Sequence, residues 1–424
     1  MANSFSKEEI VAFDQVLEGF DDALVLSRTV GKYNVGSTTL ERANDTIWRP
    51  MPYIVRSNDG TDATGQFKES TQLTVPARLG YQKNVALLMS ATELRDAIQE
   101  QRLGQAAMHR LSSDINVALM NVAANYGTLF VKRSSAASGF DDLAECEAMF
   151  NEQGIPAGER FAALATRHYN SMASNLAAST RSFGNNKSDK AYEKAYVGTV
   201  ASFETYKLDY ANSKTAAAGG GSLTINTLAA GANYYTPKAT SVATTGEASN
   251  VDNRFQTVTV SSTTNVAAGD AFTIAGVVPV HHITKNPVTG QLKTFRVISV
   301  DSSTTMTISP PIISAQGATE AEYQYQNCSV TGSSTAAIVF LNTVTGAINP
   351  FWHREAVELM FGRYSIPRDA GVAVMNTTTD QGVEVVMQKS YDINTMKTKY
   401  RWDIFFGATM MQPEMCGLMM FSQT

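Results

Sequence analysis

The sequence predicts an α+β protein interrupted by an inserted β domain. Three observations carry this expectation. Residues 90–126 hold the strongest helical stripe in the chain. Residues 383–392 and 398–411 read as two long strands. Between these regions, at AAAGGGS (216–222), the composition turns abruptly to Thr, Ser, Val, Ala and Gly and stays so to about Thr345. A chain of 424 residues corresponds to two or three domains, or one domain with a large insertion, at roughly 150 residues each. It is long enough to bury a substantial core without disulfide or metal staples.

The first element is a helix. Ser6 and Glu9 have the spacing of a capping box, and Ile10, Phe13, Val16, Leu17, Phe20 and Leu24 then form one apolar face. The other face is acidic: residues 1–24 carry Glu8, Glu9, Asp14, Glu18, Asp21 and Asp22 against Lys7 alone. Such a strip is either a solvated face or a docking strip for a basic partner. Next, Ile47 to Val55 and Leu73 to Met89 read as extended, joined by the polar, turn-rich RSNDGTDATGQFKES. Two long β segments with a polar tip describe a protruding hairpin. It is too exposed to be stable alone, and so is predicted to lie on a neighbouring surface.

Ser90 and Glu93 repeat the capping-box spacing and open the long helix, with Leu94, Ile98, Leu111, Ile115, Leu119, Val122 and Tyr126 on one stripe. Its thirty-odd residues predict a rod of roughly 50 Å, a scaffold element. Gly104 is its weak interior point, costing about 1 kcal/mol relative to Ala. Asp141 to Gln153 then reads as a helix, 160–165 as a strand, 167–179 as a helix and 197–209 as strand and turn. Within the insertion, strand alternation is visible at 255–261, 271–277, 294–300 and 304–310, which predicts a small barrel or sandwich. After residue 349 the α+β pattern returns, so the early core and the late strands must pair around the insertion. Pro413, Glu414 and Met415 form a turn before the last apolar run, GLMMF.

Composition excludes several function classes. Charged residues are 17% of the chain and the net charge is −5, which argues against a dedicated nucleic-acid binder. No stretch approaches the roughly 20 apolar residues of a membrane-spanning helix, so no membrane contact is predicted. The acidic, amphipathic N-terminal segment does not read as a secretory signal. Cys146, Cys328 and Cys416 are widely spaced and odd in number, which fits buried thiols in a reducing compartment.

No catalytic or cofactor constellation is legible. Walker A, GxGxxG, GxSxG and HExxH motifs are missing. His281 and His282 are adjacent, so in a strand they would face opposite ways and not chelate one ion. His109 reads as a packing or surface residue of the long helix. Trp48, Trp352 and Trp402 read as core or interface anchors. No enzyme activity, cofactor or metal is predicted.

Four segments, in order along the chain, carry a resemblance: NDTIWRP (44–50), NVDNRFQTVTVSSTTNVAAGDAFTIAGV (250–277), NPFWHREAVELM (349–360) and FFGATMMQPEMCGL (405–418). Together they resemble the major capsid (coat) proteins of P-twenty-two-like short-tailed bacteriophages. That resemblance implies the Hong Kong 97 phage capsid fold with an inserted telokin-like β-barrel. It implies an N-terminal arm at 1–45, an E-loop at 46–90 and a peripheral domain with its spine helix at 91–140. It further implies an axial domain at 141–219, the inserted barrel at 220–345 and a return to the axial and peripheral domains at 346–424.

The same resemblance implies partners. They are other copies of the chain in pentamers and hexamers, a basic scaffolding protein, a portal protein, and packaged double-stranded DNA held without sequence-specific recognition. Asp14 and Glu18 match the family's scaffold-binding positions, with Gln15 replacing a neighbouring acid. The family's inter-capsomer loop matches SVATTGEASNVDNRF (241–255), where Glu247, Asp252 and Arg254 keep the charge. For Asp252 and Arg254 the residues themselves also allow a turn cap inside the barrel. The implied location is the virion, assembled in the host bacterial cytoplasm by way of a scaffolded precursor that expands on packaging. The alternatives are a nanocompartment shell protein of the same fold and a β-rich glycan-binding adhesion protein.

Overall fold

The computed structural model describes residues 7–34, 45–52, 54–55, 57, 59–90, 97–177, 194–195, 197–208, 212–219, 223–226, 234–315, 319–331, 335–366 and 371–424. The chain divides into two compact units. One comprises Met1–Ile47, Ala77–Val122 and Val357–Thr409, and the other Trp48–Pro76, Ala123–Ala356 and Met410–Thr424.

The first unit is built on a sheet in the order Gly31–Asn34, Val357–Phe361, Lys397–Met410, Glu384–Asp392, Ala373–Thr378, with Tyr81–Ser90 also paired to Lys397–Met410. Helix α1 (Lys7–Ala23) buries Phe13, Leu17 and Phe20, and Leu24 follows them inward. Ile10, expected on that face, is 42% exposed. The adjacent first turn is instead committed to polar contacts, because Glu9 is ion-paired with Lys389 and accepts from the Tyr400 hydroxyl at 3.3 Å. Helix α2 (Ala97–Tyr126) buries Leu111, Ile115, Leu119 and Val122 of its predicted stripe, Tyr126 is half-buried, and Leu94 and the Ile98 side chain lie outside the described residues. Within this unit Asn116 Nδ2 donates to the Ala23 carbonyl at 3.1 Å, satisfying a group that the end of α1 leaves orphaned. His109 is exposed on α2.

Three expectations for the region before α2 are corrected. The first arm of the hairpin is a strand only over Thr46–Pro50, where the prolines end it. The second arm is not one strand but two. Thr74–Arg78 pairs with Thr46–Pro50, the chain then breaks at Leu79 and Gly80, and Tyr81–Ser90 joins Lys397–Phe406 in a ten-residue antiparallel ladder. Ser90 closes that ladder opposite Lys397 and so does not cap a helix; Glu93 lies outside the described residues. The late strand wins Ser90 because each further residue adds ladder bonds and cross-strand contacts. Near the break the backbone passes close to Gly407, where a Cβ would sit 2.2 Å from the Arg78 carbonyl oxygen.

The second unit holds a six-stranded sheet in the order Leu129–Lys132, Cys416–Met420, Asn349–His353, Arg160–Ala165, Phe203–Leu208, Thr199–Val200. Strands from before and after the insertion pair in it, as predicted: Leu129–Lys132 with Cys416–Met420, and Arg160–Ala165 with Asn349–His353. Helices α3 (Phe140–Gln153) and α4 (Thr166–Ala177) contribute to its core, where Phe150, Phe203 and Phe351 pack ring to ring at 5.3–6.0 Å. Asp142 anchors the start of α3 by accepting from the Ser138 and Gly139 amides at 2.7 and 3.0 Å, while Arg133 donates to it at 2.9 Å. Trp352 is buried here.

The insertion leaves and returns through a narrow neck. Ser213–Lys214 pairs antiparallel with Gly346–Ala347. Just inside it, fully buried Asn342 donates to the Thr215 carbonyl and to Asp270 at 3.0 Å each and accepts from the Ala271 amide at 3.1 Å. Beyond the neck six strands run in the order Thr224–Asn226, Thr335–Phe340, Ala271–Ile274, Thr294–Val300, Thr305–Ser309, Gln256–Thr259. The two outer strands meet: Ile225 bridges Val260, and the Ser261 amide donates to the Thr224 carbonyl at 2.8 Å. The sheet therefore closes on itself and has no free long edge to template aggregation. Alternate residues of these strands, among them Ile225, Val258, Phe272, Phe295, Val297, Met306, Ile308 and Ile338, fill its interior.

Candidate assembly surfaces

Asp14 is exposed on α1. Glu18 lies on the same helix, but its side chain is outside the described residues. Not all of the acidic strip faces outward, since Glu9 is spent on Lys389.

The hairpin tip is exposed at every described position from Ser57 to Ser70, and Phe67 there is 88% exposed. The tip is nonetheless ordered locally. Asp62 accepts from the Thr64 hydroxyl and amide at 2.6 and 2.9 Å, which holds its carboxyl below the usual carboxylate range. The hairpin root is clasped by the same chain's insertion. Gln324 Nε2 donates to the Glu69 carbonyl at 3.2 Å, Gln324 Oε1 accepts from the Thr71 amide at 3.3 Å, and the Tyr325 hydroxyl donates to the Thr71 carbonyl at 2.8 Å. Leu73, Ile313 and Tyr325 form the small core beneath. Tip and root thus differ: the described tip residues are exposed, and the root is tied to the same chain's insertion.

The loop at 241–255 also splits in two. Thr240–Val242 and Ala248–Asn250 form a hairpin, and every residue from Thr240 to Asn250 is exposed, Glu247 included. Its base is locked. The Arg254 guanidinium grips Asp252 at 2.9 and 2.7 Å and donates to the Met410 carbonyl at 2.6 Å, while its own amide donates to Asp252 at 3.1 Å. Asn253 ties the same turn to the Lys238 and Val251 carbonyls at 2.9 and 3.0 Å. The structure brings Asp252 and Arg254 together, while Glu247 stands apart on the exposed hairpin. The bidentate geometry makes the Asp252–Arg254 pair rigid.

Sequence reasoning missed a charge cluster, half-buried around a buried Lys293, where the barrel meets the six-stranded sheet. Lys293 is ion-paired with Glu414, and His282 Nε2 lies 4.0 Å from the same carboxylate. Burial pushes the His282 imidazole down to about 4 and the Lys285 amine down to about 8. Burial also works to raise the Glu414 carboxyl, but Lys293 and His282 outweigh it and hold the group below its ordinary value. Close by, fully buried Arg296 donates to the Gly269 and Gly127 carbonyls at 2.8 and 3.1 Å, and burial lowers it to about 10. His281 and His282 lie in a turn rather than a strand, and His281 Nδ1 accepts from the Thr284 amide at 3.1 Å. No sequence signal joins Lys293 to a glutamate 121 residues away.

Catalytic chemistry gains no support from the thiols. All three cysteines are buried; burial pushes Cys328 and Cys416 up to about 12 and Cys146 well up. Such groups stay protonated and unreactive near neutral pH.

What the described residues present is therefore an exposed Asp14 on α1, an exposed hairpin tip and an exposed hairpin on a closed barrel. The family model described as "P22 coat protein - gene protein 5" matches residues 1–422. The chain belongs to the P22 coat protein family. As a P22-type coat protein it is a major capsid protein and a virion component, and its copies build an icosahedral phage shell.

Distant likenesses to solved capsids accompany that match. A cyanophage P-SCSP1u capsid is 10% identical at a TM-score of 0.44, over 93% of this chain and 87% of that one. The mature capsid of bacteriophage PhiM1 is 8% identical at 0.42, over 99% and 88%. Mycobacterium phage Che8 is 8% identical at 0.41, over 89% and 85%.

Proposed function

We propose that this coat protein assembles by way of a scaffolded precursor shell that expands as double-stranded DNA is packaged. The exposed hairpin tip at 57–70 is the observation that carries the reading. A subunit that holds an aromatic side chain on a projecting, self-ordered tip has surface to cover, and identical copies cover it when rings of subunits close. In this reading the tip lies over a neighbouring subunit, and the closed barrel of residues 220–345 is the telokin-like domain, exposed on the outer shell. The exposed hairpin bearing Glu247 reaches toward the next capsomer, and the Asp252–Arg254 pair at its base fixes its direction.

Asp14 and Glu18 form the docking strip for the basic scaffolding protein. The exposed position of Asp14 supports this, and charge complementarity supplies the attraction. A portal protein occupies one vertex, DNA is enclosed without being read, and assembly takes place in the host cytoplasm. Expansion requires two packings of the same interfaces separated by a modest free energy.

Co-expression with a scaffolding protein followed by velocity sedimentation tests the reading. Megadalton shells are expected; a persistent monomer under those conditions would overturn it.

A further inference from the structure

Beneath the clasped hairpin root lies a cavity of about 260 Å³ within the second unit. Its walls come mainly from three places: Met51, Ile54 and Leu73 of the hairpin root, Ile313 and Tyr325 of the insertion, and Met415 of the turn before the last strand. Five of the twelve prolines in the chain, Pro52, Pro156, Pro310, Pro311 and Pro413, also line it. Proline rings fix the backbone torsion and leave no donor, so these walls are stiff, apolar and preformed, as small-molecule sites generally are.

The charged groups at the cavity are distributed in a way that selects against ions. Arg254 is spent on Asp252 and the Met410 carbonyl. Glu414 is spent on Lys293. His282 is held neutral by burial. Glu355 stands exposed at the rim, where it stays hydrated. An anion entering would meet two carboxylates with no uncommitted cation among the lining residues, and a cation would have to leave water for apolar walls. A dry cavity of about 150 Å³ is known to take benzene. One of 260 Å³ therefore has room for two fused rings.

We propose that this cavity is a binding site for a small, uncharged aromatic molecule of about two fused rings, and that its occupancy ties the hairpin root to the insertion. The ligand touches all three walls at once, so it is bound only while the root stays clasped. By linkage, binding then stabilises the clasped arrangement. The binding step itself needs only this unit; its effect on a shell rests on the reading proposed above.

Indole is the probe, added to assembled shells and to dissociated subunits, with binding read by calorimetry and clasp opening read by hydrogen exchange at the Thr71 and Met51 amides. Saturable binding to both forms is expected, with at least tenfold slower exchange at those amides at saturation. Indole-3-acetate and tryptamine are expected to bind at least tenfold more weakly than indole. Leu73→Trp and the milder Ile313→Phe fill the space, and either is expected to abolish indole binding while shells still form.

Four outcomes would overturn the proposal. They are no saturable binding to wild type, tighter binding of either charged analogue, unchanged binding in a filled variant that assembles, and binding to subunits that is lost in shells. The last would mean that a neighbouring copy occupies the cavity. Failure of assembly with intact indole binding to subunits would count against the shell reading and leave the site standing.

Discussion

Lys293, just ahead of the Thr294–Val300 strand of the barrel, is ion-paired with Glu414, in the turn that precedes the last strand of the six-stranded sheet. Lys293 is 4% exposed, and its ammonium also donates to the Asn327 carbonyl at 3.0 Å. The pair thus joins an inserted domain to the end of the chain in a place where Lys293 has almost no water to fall back on and Glu414 has little.

Removing one partner leaves the other charge buried and alone. Glu414→Ala is expected to cost about 3–5 kcal/mol, whereas the double variant Lys293→Met/Glu414→Leu recovers most of that loss. Urea unfolding of the single and double variants checks both halves. A double variant as unstable as Glu414→Ala would contradict the pair as the source.

His282 gives stability a pH dependence near this pair. Its folded pKa of about 4 lies under its ordinary 6.5. Between those values the unfolded chain binds a proton that the folded chain does not, so stability rises with pH across that window, by roughly 2–3 kcal/mol. The contribution of Glu414 has a different window. Its folded pKa is lowered, so its stabilisation is present above the ordinary carboxylate range and is lost as pH falls through the depressed value. His282→Gln is expected to flatten the first slope and to weaken the second without abolishing it, because Lys293 still faces Glu414, as read from unfolding free energies at a series of pH values.

The clasp on the hairpin root depends on one amide side chain. Gln324→Ala removes the bonds to Glu69 and Thr71 and is expected to cost about 1–2 kcal/mol. The loss should be local. Hydrogen exchange at the Thr71 amide should accelerate roughly tenfold, while the Leu418 amide in the six-stranded sheet keeps its protection.

Asp14→Lys combined with Glu18→Lys reverses the charge of the proposed docking strip while leaving the buried face of α1, Phe13, Leu17 and Phe20, untouched. Scaffold-directed assembly is expected to fall at least tenfold, with circular dichroism and the unfolding midpoint unchanged. Normal assembly would remove this role for the helix without touching the coat-protein assignment.

At Gly407 a Cβ would lie 2.2 Å from the Arg78 carbonyl oxygen and 3.1 Å from the Leu79 Cα. Both obstacles are backbone, so no side chain can swing away. Gly407→Ala is expected to destabilise the first unit by more than about 2 kcal/mol, measurable as a lowered unfolding midpoint.

By itself the sequence determined elements whose signal is local. The strand at 160–165, the strand at 294–300 and the helix ending at Gln153 stand where their periodicity puts them, because alternation and helical spacing record which face is buried. It also placed Asp14 on an amphipathic helix, and the order of its segments disclosed the family.

Only the tertiary structure decided which strand Ser90 would join, that Arg254 would grip Asp252 while Glu247 stayed apart, and that Gln324 would hold the hairpin root 253 residues away in the chain. Periodicity says that a face is buried but not against what. Ion pairs and side-chain clasps are set by the closing of long loops, where the gain appears only after distant segments have met.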